Sequence, residues 1–206
     1  MKLIKPSVFF VYGPSNDDAM ATVENAARTC YQSFDKAGPG SAEKLIRHCI
    51  QRGHESVLEH VSASLRIICD RGVTHELVRH RVGVAYSQES TRYVNYNNQD
   101  MEFIEPWWWD DIDKSASRAI FANEYRLSEL DYKSLIEDHG MAPQAARAIL
   151  PNALKTEIVV TANIRAWRHI FKLRRDKSAH PDMRRVMDLA FDILATMYPV
   201  FFEDME

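Results

Sequence analysis

Seven glycines in 206 residues are few, and they are scattered as Gly13, Gly38, Gly40, Gly53, Gly72, Gly83 and Gly140. No GxGxxG and no GxxxxGK occurs, which excludes the two common backbone cradles for nucleotide phosphates. Any anionic ligand is therefore held by side chains. Cysteine is scarce too. Cys30, Cys49 and Cys69 are odd in number and lack CxxC spacing, which argues against a disulfide framework and a zinc site, so no metal is expected. All three read as small buried hydrophobes, and none has a neighbour that obviously lowers a thiol pKa. No apolar run approaches the ~20 residues of a membrane helix, and residues 1–6 lack a signal-peptide h-region. A cytoplasmic protein with no membrane partner is expected. Nor is there a basic surplus. Lys and Arg number 26 against 29 Asp and Glu, a net charge of −3, which argues against a general nucleic-acid binder.

What is present suits one folded domain over residues 1–206: 46% hydrophobic and 27% charged residues, with no repeat, linker or low-complexity block. Residues 7–12 (SVFFVY) predict a short buried strand closed by Gly13-Pro14. Asn16 or Asp17 is expected to cap a helix to about Tyr31, with Ala19, Val23, Ala26, Ala27 and Cys30 on one face. A second helix runs from Ser41 and stops at Gly53. Residues 61–69 alternate as a half-exposed strand, followed by a short helix over 74–81. The stretch 82–98 reads as loop or extended chain, and 101–104 as a strand. The longest helical pattern is 113–138, with Ile120, Phe121, Leu127, Leu130 and Leu135 near helical spacing. A short helix over 143–150, a strand over 157–162 and helices over 166–175 and 181–198 complete the chain. The fold class is α+β: a small, mostly antiparallel or mixed sheet flanked by helices.

Positive charge is concentrated. Residues 79–92 hold three arginines against Glu89, and residues 165–185 hold eight basic residues against Asp176 and Asp182. These segments carry +2 and +6, which leaves −11 on the rest of the chain. Clustered guanidiniums favour phosphate or carboxylate ligands, so a small polyanion is the natural ligand class.

Arg79-His80-Arg81 places three potentially cationic side chains in a row at an expected helix end, a repulsive arrangement unless an anion neutralises it. Beyond it, Ser87, Gln88, Glu89, Ser90, Thr91 and Arg92 supply hydroxyls, an amide, a carboxylate and a guanidinium suited to a uracil-like ring with a phosphate. This segment resembles the RHR-x7-S signature of the flavin-dependent thymidylate synthases (the ThyX family), which continues as S-x-RY. Other anchors follow in family order: residues 26–31 (AARTCY), 53–60 (GHESVLEH), 146–151 (ARAILP), and Asn163-Ile164-Arg165 through Leu173-Arg174 to His180. One departure stands out. Eight residues, 82–89, separate Arg81 from Ser90 where the family has seven, and the extra one falls within Val82-Gly83-Val84.

The resemblance implies a ThyX-like fold and C5 methylation of dUMP to dTMP without a cysteine nucleophile. The carbon would come from 5,10-methylenetetrahydrofolate and the reducing equivalents from NAD(P)H, taken as NADPH, through FAD. It places Arg79, His80 and Arg81 on FAD, with Ser56, Asn163, Arg165 and His169 also contacting that cofactor. His54 would lie near the flavin ring and the folate. Glu76, Gln88, Glu89, Ser90, Thr91, Arg92 and Arg147 would bind the nucleotide. Arg174 would contact the uracil carbonyl edge and stabilise charge that develops there. It further implies a homotetramer with active sites between subunits.

Two other readings stay open within the flavin and nucleotide chemistry. The longer loop could turn the acceptor to UMP or another uridylate, or the protein could bind flavin and nucleotide without methylating. An RNA-binding module is disfavoured by the −11 and by the lack of RNP-like aromatics. Trp107, Trp108 and Trp109 are read first as core or interface packing.

Overall fold

A computed structural model describes residues 1–205. In chain order the elements are β1 (Lys2–Ile4), β2 (Ser7–Tyr12), α1 (Asn16–Thr29), α2 (Ser41–Gln51), β3 (Ser62–Asp70), α3 (Arg71–Leu77) and β4 (Val84–Gln88). They continue as β5 (Glu102–Ile104), α4 (Ser115–Glu137), α5 (Pro143–Ala146), β6 (Lys155–Asn163), α6 (Ile164–Arg174), α7 (Pro181–Met197) and α8 (Pro199–Phe202). The chain divides into two compact units. The first comprises Met1–Ser7, Ile67–Arg79 and Ser87–Ile158; the second comprises Val8–Arg66, His80–Tyr86 and the chain from Val159 onward.

One four-stranded sheet has the order β2-β3-β6-β4, and the second unit contains residues 8–12, 62–66, 159–163 and 84–86 of those strands. β3 and β6 run antiparallel: the Ile164 N–H donates to the Val61 carbonyl at 2.9 Å, and Ser64 and Thr161 share a hydroxyl hydrogen bond of 2.8 Å. Ala63, Leu65, Val160 and Ala162 point into the core, as the two-residue period of a strand demands. α6 is fixed at its start by Asn163, whose side-chain oxygen accepts from the Ala166 N–H at 2.8 Å. Its Trp167 is fully buried and donates its indole N–H to the Ala63 carbonyl at 3.0 Å. Phe171 stacks on it and meets Phe191 and Phe202 edge-on, tying α6 to α7 and α8. The turn α8, built on Pro199, has no counterpart in the expected elements.

In the first unit, β1 pairs in parallel with β5, Leu3 opposite Phe103. The core is aromatic: Phe103 lies flat on Tyr125 at 4.8 Å, and Trp108 meets Phe121 edge-on at 5.1 Å.

Several expectations are corrected. The strand 7–12 is half-exposed rather than buried, with Val11 and Tyr12 at the surface. The cap of α1 is Ser15, not Asn16 or Asp17, because its hydroxyl reaches the Asp18 N–H. Cys30 is exposed, one residue beyond that helix, whereas burial pushes the Cys49 and Cys69 thiols up. The Asp70 carboxylate accepts from the Val73 N–H at 2.8 Å and starts α3 three residues early. That helix ends at Leu77, so Arg79-His80-Arg81 lies past its end. Of the stretch read as loop or extended chain, residues 84–88 form a strand. The core side of α4 is Tyr125, Glu129 and Tyr132, while Ile120, Leu127 and Leu130 face solvent. The buried Glu129 is held by Lys133 at 2.8 Å and by the Met101 N–H at 3.2 Å, which offsets the cost of desolvating a carboxylate there.

Candidate active site

In the second unit, the turn after Arg79 brings His80 to α6. The Arg174 Nε donates to the His80 Nε2 at 2.9 Å. His169, also on α6, meets the same ring edge-on at 5.8 Å and 74°. The His80 carbonyl accepts from the Tyr86 hydroxyl at 2.8 Å, which pins the main chain. Burial, then the Arg174 and His169 charges, push the His80 imidazole down to about 4, so it is neutral and accepts at Nε2. Burial likewise pushes the Tyr86 phenol up to about 12.

Around the start of α6, a cavity of about 320 Å³ is lined by Asn163, Arg165 and His169 together with Glu55, Glu59 and Val82. Three of the residues expected at the flavin thus share one cavity. Arg165 is exposed and donates to Glu59 at 2.6 Å, with Glu55 at 3.7 Å. Asn163 is committed to capping, and its N–H donates to the Gly83 carbonyl at 3.1 Å. The extra residue of the signature loop therefore lies in a turn over the start of α6. His54, just before the 3₁₀ turn Glu55–His60, and Ser56, within it, are exposed, as is Arg81.

Apart from Arg174, the residues expected at the nucleotide lie in the first unit, in separate small groups. Gln88 donates from its amide to Thr74 at 3.0 Å and to Thr156 at 3.2 Å. Glu89 accepts from the Tyr96 hydroxyl at 2.7 Å and from Lys155 at 3.2 Å, so its carboxylate is tied within this unit. Arg147 donates to the buried Thr91 hydroxyl at 3.0 Å. The Ser90 hydroxyl accepts weakly from the Arg92 N–H at 3.3 Å, with no base against it to make a nucleophile. Arg92 is exposed and lies over the Tyr93 ring. Arg79 is exposed, and Glu76 is part-buried on α3.

The positive segment 165–185 is less available than its charge suggested. Arg168 is buried against Asp204, and Arg175 pairs with Asp188 at 2.8 Å and covers the Phe191 ring. Sequence reasoning missed Tyr86, Lys155, Thr156, Glu55 and Glu59 as partners. Their signal is cross-strand or cross-turn placement, which no local motif carries. Among the described residues, no group of three or more His, Cys, Asp or Glu is placed to hold a metal ion, and no helix is long and apolar enough to cross a membrane.

Residues 14–200 match the family model described as thymidylate synthase complementing protein. A flavin-dependent thymidylate synthase of Mycobacterium avium (strain 104) is 41% identical over 205 residues, covering 92% of this chain and 81% of that protein. The protein of the same name from Mycobacterium tuberculosis (strain ATCC 25618 / H37Rv) is 40% identical over 204 residues, with the same coverage. Among solved structures, the UMP/dUMP methylase PolB of Streptomyces cacaoi bound with 5-Br dUMP superposes with a TM-score of 0.83 at 24% identity, covering 98% of this chain and 96% of that one. At that identity the likeness speaks for the fold. The chain belongs to the family of flavin-dependent thymidylate synthases.

Proposed function

We propose that this chain, acting as one functional domain, methylates C5 of dUMP to give dTMP. The carbon comes from 5,10-methylenetetrahydrofolate and the reducing equivalents from NADPH, with FAD as the bound flavin. The observation that carries the reading is the 2.9 Å anchoring of the half-buried Arg174 on a neutral His80, in a chain about 40% identical to named flavin-dependent thymidylate synthases. A fixed cation of this kind stabilises negative charge on a uracil carbonyl as a nucleophile adds to the ring, without reorganising at that moment.

The donor set suits FAD. Arg79 and Arg81 present exposed guanidiniums, which bind pyrophosphate bidentately, and the cavity at Asn163, Arg165 and His169 has room for one portion of a dinucleotide. When bound, FAD supplies the hydride chemistry. His54 and Ser56 lie exposed on the loop that would face the flavin and the folate. In the first unit, Ser90 and Arg92 take the nucleotide phosphate, while Gln88, Glu89, Thr91 and Arg147 hold the loop that carries them; Glu76 flanks it. The Cys69 thiol is buried and raised, so it is a poor nucleophile, in keeping with a reaction that needs none. A homotetramer with sites between subunits accords with so many exposed candidate residues and with the apolar face left open on α4.

A second reading rests on the extra residue at Val82-Gly83, with UMP as an acceptor, as in the name of the PolB methylase. Flavin-loaded enzyme incubated with methylenetetrahydrofolate, NADPH and either uridylate tests both. dTMP from dUMP is the expected product. Turnover of UMP alone replaces the first reading by the second, and NADPH oxidation without a methylated product overturns both.

A further inference from the structure

The sequence places three potential cations side by side at 79–81, but the structure treats the middle one differently. Arg79 and Arg81 are exposed, whereas the His80 ring turns inward to α6. Its main chain is pinned by the Tyr86 hydroxyl, its ring is met edge-on by His169, and its Nε2 receives the Arg174 Nε–H. Only one protonation state fits this geometry. An imidazolium carries N–H at both nitrogens, so at Nε2 a donor would face a donor and a cation would face a cation. The neutral ring protonated at Nδ1 places a lone pair there instead, and the contact becomes a charge-assisted hydrogen bond.

A guanidinium on a flexible stem loses rotamer freedom when it binds, and a fixed acceptor at Nε removes part of that cost beforehand. From this geometry we infer that His80 is a positioning residue for Arg174, fixing its guanidinium for the uridylate, rather than a ligand of the flavin. The inference rests on the proposed role of Arg174. It separates the members of the Arg79-His80-Arg81 triplet: the two arginines serve an anion, and the histidine serves an arginine 94 residues away.

Four variants of the flavin-loaded enzyme test it: H80A, H80N, H80Q and R174A. Each is measured for flavin content by absorbance, for dUMP affinity by calorimetric titration, and for kcat and KM. Glutamine carries an amide oxygen about as far out as Nε2, whereas asparagine falls short of Arg174. Loss of one charge-assisted hydrogen bond corresponds to about a tenfold change in affinity. H80A and H80N are expected to lose about tenfold in dUMP affinity with flavin content retained, and H80Q to recover to within about threefold of the parent. Should H80A fail to fold, the contrast between H80N and H80Q decides. Loss of flavin from H80A and H80Q alike, with parental dUMP affinity in the loaded fraction, overturns the inference, as does parental dUMP affinity in H80N. If R174A itself binds and turns over dUMP as the parent does, the proposed role of Arg174 fails. If R174A is impaired while H80A is parental, only the positioning role of His80 fails.

Discussion

Two guanidinium nitrogens of Arg168 each donate to a different carboxylate oxygen of Asp204, at 2.7 Å, and Nη1 also reaches the Phe201 carbonyl. Arg168 is only 8% exposed, so α6 is clamped to the segment after α8 by a fork between a buried guanidinium and a carboxylate that still meets solvent. Arg168→Ala leaves that carbonyl and carboxylate without their donor and is expected to destabilise the protein by about 2 kcal/mol. Asp204→Asn keeps the shape and is expected to cost less. Arg168 holds the Asp204 carboxyl below its ordinary value of 3.8, so this stability is present above that pH and is lost as the pH falls below it. Urea titrations at pH 7 and pH 3.5 measure both effects; equal midpoints for parent and Arg168→Ala at pH 7 would contradict the clamp.

Gly83 adopts φ +69, and a Cβ added there would lie 2.5 Å from the Asn163 amide nitrogen. Asn163 cannot yield without releasing its cap on α6. Gly83→Ala is therefore expected to combine left-handed strain with a disturbed cap, about 2 kcal/mol together. Gly140 has φ +65 but open space around it, so Gly140→Ala should show the strain alone, about 1 kcal/mol. In a chain of this size that is a Tm drop of about 4–8 °C against about 2–4 °C. Equal drops would mean that the contact with Asn163 carries no cost.

How far the sequence reaches is shown by α4 and by His80. Most elements are legible because their signals are local: the alternation of β3 and the proline that opens α7. The length of α4 is legible in the same way, but its face is not. Periodicity weighs Ile120, Leu127 and Leu130 as core, whereas the buried side is two tyrosines and a carboxylate satisfied by Lys133 and a backbone N–H. Hydrophobic pattern cannot foresee which polar groups find partners. The same gap hides the site. The family motifs name His80 and Arg174, yet nothing local pairs them, and the shortfall of available charge in 165–185 emerges only when Asp188 and Asp204 fold against it.

The open face of α4 leads to a prediction about assembly. Ile120 is 64% exposed and Leu130 50% exposed on a helix whose other side is packed. If the protein assembles as the proposed homotetramer through this face, Leu130→Glu should place unpaired charges in the contact and lower the mass measured by light scattering. Circular dichroism should be unchanged, since Leu130 takes no part in the core of its own unit. A parental mass at micromolar concentration would remove α4 from the assembly contact.

The neutral state of His80 predicts a pH dependence. Its imidazole is pushed from an ordinary value of 6.5 down to about 4, so between those pH values the unfolded chain binds the proton that the folded chain refuses. Stability is therefore full above about pH 6.5, declines as the pH falls from there towards about 4, and loses nothing further from this group below that value. The charged and titratable groups that face the ring are Arg174 and His169 on α6 and the Tyr86 hydroxyl on β4, which touches its carbonyl. His169 is exposed, and after burial and the Arg174 charge its coulombic effect also resists protonation of His80. Replacing the ring in H80Q removes the refused proton, so the variant should lose less stability than the parent between pH 7 and pH 4.5. Guanidinium titrations of both proteins across this interval provide the comparison. Parallel stability curves would show that His80 does not hold the neutral state its contact with Arg174 requires.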